Sequence, residues 1–161
     1  MTTPDKPNIL FMLADDMRWD ALSCLGHPLL KTPNLDRLAE TGTRFLNVYD
    51  TPLCTPKNHV LLTCRYPFRT DWTVHYDAPR WGGQYLDWRR ETTLARILKA
   101  AGYATAIAGK WQINDLRVHP EALQHHGFDE HCVWTGFETG NPPSTERYAY
   151  PYLQHNGQRR T

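Results

Sequence analysis

Residues 50–69 read DTPLCTPKNHVLLTCRYPFR. Pro56 follows Cys54 by two positions, and proline is well tolerated in the first turn of a helix because its missing N–H had no partner there. Val60, Leu61 and Leu62 carry the apolar helical segment onward. Cys54 is therefore expected at or just before a helix N-terminus. The dipole and the open N–H groups at that place favour an anion, either a thiolate or a bound oxyanion. The other reading is a structural cysteine packed as a small hydrophobe ahead of a core helix.

Working back toward the N-terminus, residues 45–49 form a plausible strand leading into that helix. Before them, Thr32-Pro33-Asn34 starts a helix with Thr32 as cap and Pro33 in the first position. Leu35, Leu38 and Ala39 share one face, and Gly42 stops it. Residues 8–14, NILFMLA, make a continuous apolar run that suits a parallel strand buried on both faces. Asp15 and Asp16 follow at its C-terminal end, where open α/β sheets place their ligand sites. Two adjacent carboxylates there are oxygen ligands for Ca²⁺ or Mg²⁺, or alternatively a turn or helix cap.

Toward the C-terminus, residues 70–90 read as an irregular loop containing Trp72, Trp81 and Trp88 with Gly82-Gly83. It offers either a stacking surface for a sugar or aryl ring or a loop pinned by buried aromatics. Thr92-Thr93 caps a helix with Leu94, Ile97, Leu98 and Ala101 at helical spacing, ended by Gly102. Residues 103–108 read as a strand, with Gly109-Lys110-Trp111-Gln112 at its exit. This β-α-β rhythm supports a parallel sheet, and it returns Lys110 to the sheet end where Asp15 and Asp16 emerge. A lone lysine at such a place also reads as solvated surface. His125, His126, His131 and Cys132 suggest zinc, but their spacing fits none of the usual structural patterns. Residues 140–144 are Gly- and Pro-rich, and residues 156–161 read as an interruption inside a longer domain.

The chain has 161 residues, a formal net charge of +1, 22% charged and 40% hydrophobic residues. That length suits one domain with a real core, and the composition is globular. The near-neutral charge argues against nucleic acid as a partner. The cysteines at 24, 54, 64 and 132 form no Cys-x-x-Cys pair and read as free thiols. No run reaches transmembrane length, so no membrane association is expected. The N-terminus carries no secretory pattern. As written, the chain is expected in the cytoplasm, with periplasmic or secreted placement only if the true start lies upstream.

Cys54-Thr55-Pro56 through Leu61-Leu62-Thr63 resembles the sulfatase signature, Cys-x-Pro-x-Arg through Leu-Leu-Thr-Gly. The strand ending in Asp15-Asp16, the Thr32–Ala39 phrase and Gly109-Lys110-Trp111 resemble sulfatase segments in the same order. His126-Gly127-Phe128-Asp129-Glu130 is similar to a further segment of that family. The resemblance implies an alkaline-phosphatase-like α/β fold, a mostly parallel sheet flanked by helices, with residues 1–161 as the N-terminal, truncated part of a catalytic domain.

The resemblance also implies a chemistry. Cys54 would be oxidised to formylglycine by a formylglycine-generating enzyme, and its hydrate would attack the sulfur of a small-molecule or carbohydrate sulfate ester. Asp15, Asp16 and position 54 would hold Ca²⁺, with Mg²⁺ as the alternative. Lys110 would stabilise charge on the sulfuryl group. Asn58 stands where the signature has Arg, Gln112 where the family has His, and Cys64 where it has Gly. Asn58 carries no charge, and Gln112 takes no proton near neutral pH. Lys57 is turned about 100° from Asn58 on the helix. Inefficient or absent conversion of Cys54 is therefore expected. Two functions follow: a sulfuric ester hydrolase, or a catalytically impaired relative that binds a sulfated or phosphorylated ligand.

Overall fold

A computed structural model describes residues 6–75, 85–134, 151 and 153–160. They group into two compact units, Met1–Tyr49 and Asp50–Thr161. Trp81, Gly82-Gly83 and the stretch 140–144 lie outside the described residues.

The first unit holds a 3₁₀ turn, Ser23–Leu25, and helix α1, Pro33–Thr41. Thr32 and Pro33 start α1 and Gly42 ends it, but the Thr32 hydroxyl does not cap the helix backbone. It donates instead to the Asp36 carboxylate at 3.1 Å and lies 2.8 Å from the Ser23 hydroxyl. Ser23 Oγ and the Cys24 N–H also donate to Asp36. The Ser23 hydroxyl, above all, holds the Asp36 carboxyl below its ordinary range. This polar clasp ties the turn to α1, where the sequence suggested an apolar face. Leu35 and Leu38 are exposed.

Residues 8–14 and 45–49 form no strand, and their apolar side chains are exposed, Leu10 at 81% and Tyr49 at 91%. A strand buried on both faces needs ladder partners at its edges and a layer on each side. The described residues of this unit supply only a short helix and a 3₁₀ turn. The expectation of two strands here is corrected accordingly.

The second unit is α/β. Helix α2, Cys54–Thr63, is followed by the single turn α3, Pro67–Thr70, and by α4, Leu94–Ala100. Strand β1, Ala106–Lys110, pairs in parallel with β2, Glu130–Trp134, across a connection that includes α5, Ala122–His125. β3, Leu153–His155, pairs antiparallel with β2 and with β4, Gln158–Arg160, so the sheet is mixed in the order β1-β2-β3-β4. The turn between β3 and β4 is Asn156-Gly157, with φ of +46° and +81°, the Asn-Gly pair that favours a two-residue hairpin. That pair was the available signal for a hairpin in what reads as an interruption.

β1 begins at Ala106, later than residues 103–108 suggest. The cause is Thr105, whose N–H and hydroxyl bond the Asp129 carboxylate and whose carbonyl accepts from the N–H groups of Asp129 and Glu130. The ladder starts only beyond that knot and continues through Gly109 and Lys110.

α4 starts as expected: Thr93 Oγ1 accepts from Arg96 N at 3.3 Å. Its buried residue is Ala95, while Leu94 and Ile97 are exposed. Gly127 explains the inversion. Its φ is +97°, and a Cβ there would lie 2.5 Å from Arg96 N. The first turn of α4 thus packs on backbone, and its small residue faces inward. The core joins Leu86, Ala95, Trp111, Ile113, Leu116, Leu123, Phe128 and Val133, with Leu62 of α2 packed against it. None of the four cysteines forms a disulfide.

Candidate active site

Cys54 is the first residue of α2, with Thr55 and Pro56 completing the opening turn. The Lys57 N–H to Leu53 carbonyl bond, 3.1 Å, closes it. The N-cap is Leu53, a side chain with no acceptor, held at φ +71°. A non-glycine residue in that region costs on the order of 1–3 kcal/mol. The strain sits directly before the candidate nucleophile, at the end of the helix where orphan N–H groups and the dipole favour negative charge. At the other end Cys64 caps α2 in the left-handed conformation, φ +55°. This position calls for glycine on conformational grounds, and a cysteine fills it.

Asn58 lies four residues after Cys54, hence on the same face one turn along; it is half-buried. Lys110 is the last residue of β1, opposite Trp134 in the parallel register, and is also half-buried. The Trp111 N–H then donates to the Trp134 carbonyl at 2.8 Å. Positive φ angles at Gly109, +110°, and Gln112, +45°, bend the exit. Gln112 is turned into the interior, 2% exposed, and its Oε1 meets no hydrogen-bond partner. A buried amide oxygen left without a donor is costly and marks a place for a hydroxyl or N–H. Because Leu62 packs on the cluster that contains Trp111, α2 and the β1 exit share one core.

Asp15 and Asp16 belong to the first unit. Both are exposed, and Asp16 is held at φ +55°. They do follow the apolar run, although that run is not a strand. Two adjacent carboxylates are hard oxygen donors, a set that fits a divalent cation such as Ca²⁺ or Mg²⁺.

The residues that suggest zinc go separate ways. His126 is fully buried and its Nε2 lies 3.2 Å from Asn114 Oδ1. Asn114 donates its amide to the Leu86 carbonyl, so its oxygen faces His126 and the imidazole proton sits on Nε2. Burial lowers the His126 pKa to about 4. His131 Nε2 accepts from the Gly157 N–H at the hairpin turn. His125 stacks on Trp88, ring centroids 4.7 Å apart. Trp88 is thereby packed against imidazoles, and Trp72 is buried against His59 at 5.1 Å, so these two tryptophans are held by histidines.

Two histidines carry no sequence signal. His59, in the middle of α2, is fully buried with neither ring nitrogen bonded, and burial lowers its pKa to about 4. His75, twenty residues from α2's head, places Nδ1 3.2 Å from the hydroxyl of Thr55.

A family model described as Sulfatase matches residues 7–157. The chain is 45% identical over 133 residues to bovine arylsulfatase A, covering 80% of this chain and 25% of that protein. It is 41% identical over 142 residues to human N-acetylgalactosamine-6-sulfatase, covering 83% and 26%. Among solved structures, Ps i-CgsB superposes with a TM-score of 0.78 at 27% identity, over 96% of this chain and 37% of that one. The complex of Ps i-CgsB with k-i-k-neocarrahexaose gives the same TM-score of 0.78 at 26% identity. The chain thus spans about a quarter of the length of the curated relatives it matches.

Proposed function

The chain belongs to the sulfatase family, and on that footing we propose that this protein hydrolyses a sulfate ester. The family works with a divalent metal and a formylglycine, and its members act on sulfated substrates. The relatives' names refer to aryl, steryl and N-acetylgalactosamine-6-sulfate groups, and one neighbouring structure holds a carbohydrate. An aryl or carbohydrate sulfate ester is the substrate class we assign. The observation that carries the reading is Cys54 in the first position of α2, in the same packed unit as the Lys110–Gln112 exit of β1.

Asp15 and Asp16 would hold the cation, which we take to be Ca²⁺, with Mg²⁺ as the alternative. When bound, it supplies a Lewis acid for the sulfate oxygens. Matured by a formylglycine-generating enzyme, position 54 supplies the reacting oxygen. The remaining work falls to side chains and backbone. The head of α2 favours the charge that grows on the sulfuryl oxygens. Lys110 brings an ammonium to the same charge. Gln112 orients a hydroxyl through its buried Oε1 but takes no proton. Asn58 holds position 54 from one turn below, through a neutral amide.

A second reading has its own support: Asn58 and Gln112 are both uncharged where the family has Arg and His. It makes this protein a binder of sulfated or phosphorylated ligands. Turnover of a chromogenic sulfate ester separates the two. Calcium-dependent turnover abolished by Cys54→Ser supports the hydrolase. Sulfate-specific thermal stabilisation without turnover supports the binder.

A further inference from the structure

His131 is the second residue of β2 and is buried, 2% exposed. Its Nε2 lies 3.3 Å from the N–H of Gly157, in the turn between β3 and β4. A backbone N–H can only donate, so Nε2 is the acceptor and the neutral ring carries its proton on Nδ1. The rest of the turn is fastened at the same place. The Asn156 N–H donates to the His131 carbonyl at 3.1 Å, and the His131 N–H donates to Asn156 Oδ1 at 2.8 Å. Asn156 Nδ2 donates to the Glu130 carboxylate. β3 and β4 are three residues each, and β3 pairs with β2 at Cys132–His155 and Val133–Gln154. The turn is therefore a large part of the hairpin's attachment.

Protonation reverses the sense of the ring contact. An imidazolium donates from both nitrogens, so Nε2 would turn an N–H toward the Gly157 N–H and accept nothing. Burial leaves the charge poorly solvated and is the main reason the His131 pKa lies below its ordinary value. The charged groups acting on the ring are His155 of β3, which repels the cation, and Glu130 of β2, which attracts it less strongly. Its register partner in β1 is Ile107, an aliphatic neighbour.

We propose that His131 is an acid-sensitive latch on the β3–β4 hairpin: the neutral ring holds the turn on β2, and the protonated ring lets it go. In the released hairpin the ring regains the ordinary histidine pKa of about 6.5, above that of the latched ring. The released state thus takes up the proton first. Opening grows as pH falls below about 6.5, by up to about tenfold per pH unit. It uncovers one edge of β2, the strand that pairs with Lys110 along its other edge. The latch is independent of the sulfate-ester chemistry proposed above.

Amide hydrogen exchange by NMR from about pH 7 to about pH 5 tests it, with the His131 ring followed by its imidazole ¹⁵N shifts. In the wild-type chain, protection of the His131, Asn156 and Gly157 amides, corrected for intrinsic exchange, should fall up to about tenfold per pH unit as the ring takes up its proton. The Trp111 amide, bonded to the Trp134 carbonyl, reports opening of the longer strands. In His131→Gln the side-chain oxygen accepts throughout that range. There the hairpin amides should keep their protection while the Trp111 amide behaves as in wild type. Hairpin protection that holds while the His131 ring titrates would overturn the latch. So would an equal fall in His131→Gln, or a ring that stays neutral until the Trp111 amide also loses its protection. The ring and amide measurements need no variant, so the wild-type chain decides the matter even if His131→Gln fails to fold.

Discussion

Cys54 opens α2 and Cys64 closes it, the first at the helix N-terminus and the second at φ +55° in the left-handed cap. The two thiols serve different ends of one element. At the closing end an L-residue is strained, on the order of 1 kcal/mol relative to glycine. Cys64→Gly should therefore raise stability by up to ~1 kcal/mol, offset in part by the greater freedom of glycine in the unfolded chain. Urea unfolding measures it, with Cys64→Ala as the control that keeps the strain. An equal gain from Cys64→Ala would point to the thiol instead of the backbone.

Two buried imidazoles make the second unit sensitive to acid. His59 and His126 each have a pKa lowered to about 4 by burial, with a small mutual repulsion at His126. The unfolded chain binds their protons near the ordinary value of about 6.5. The unfolded state therefore takes up protons first, and stability is lost as pH falls from about 6.5 to about 4. The loss amounts to at most ~3 kcal/mol per site. Above about 6.5 neither group contributes a pH dependence. His59→Phe, which keeps the stack on Trp72, should flatten part of the fall between those limits. Urea midpoints across that range check it, and an unchanged slope would remove His59 from the account.

Gly127 carries both a left-handed φ and a backbone neighbour, with a Cβ position 2.5 Å from Arg96 N. Gly127→Ala should cost at least ~2 kcal/mol, because the first turn of α4 cannot give way as a side chain would. A loss under about 0.5 kcal/mol in urea unfolding would mean that α4 shifts freely.

Gln112 can orient but not titrate. Gln112→His should place a base at the β1 exit and raise turnover about tenfold or more, with a new acid limb in the pH–rate profile. A profile of unchanged shape would show that the β1 exit takes no part in proton transfer.

Helices α1, α2 and α4 were legible because each start carries a local chemical mark, Thr32-Pro33, Cys54-x-Pro56 and Thr92-Thr93, whereas the four-residue turns α3 and α5 carry no such periodic pattern and were not read. The strands were less so. Residues 8–14 and 45–49 have strand composition, yet a strand exists only with a partner, and partners are remote in sequence. β1 was displaced by the bonds of Thr105 to Asp129 and Glu130. β2 was hidden behind a His- and Cys-rich sequence whose alternating burial, His131 and Val133 inward, shows only in the fold. At the candidate site, Cys54 and Lys110 were readable from motif order. The inward turn of Gln112 and the bond from Thr55 to His75 were not, since neither a positive φ at glutamine nor a contact across twenty residues leaves a pattern in the chain.

Position 54 carries the proposed chemistry, and Asn58, standing where the sulfatase signature has Arg, is the departure expected to limit its conversion. The direct measurement is peptide mass spectrometry at position 54, paired with sulfate-ester turnover, for wild type, Asn58→Arg and Cys54→Ser co-expressed with a formylglycine-generating enzyme. The expected result is a small aldehyde fraction with proportionate metal-dependent turnover in wild type, more of both in Asn58→Arg, and no turnover in Cys54→Ser. Aldehyde at position 54 without turnover in the presence of Ca²⁺, or turnover that survives Cys54→Ser, would contradict it.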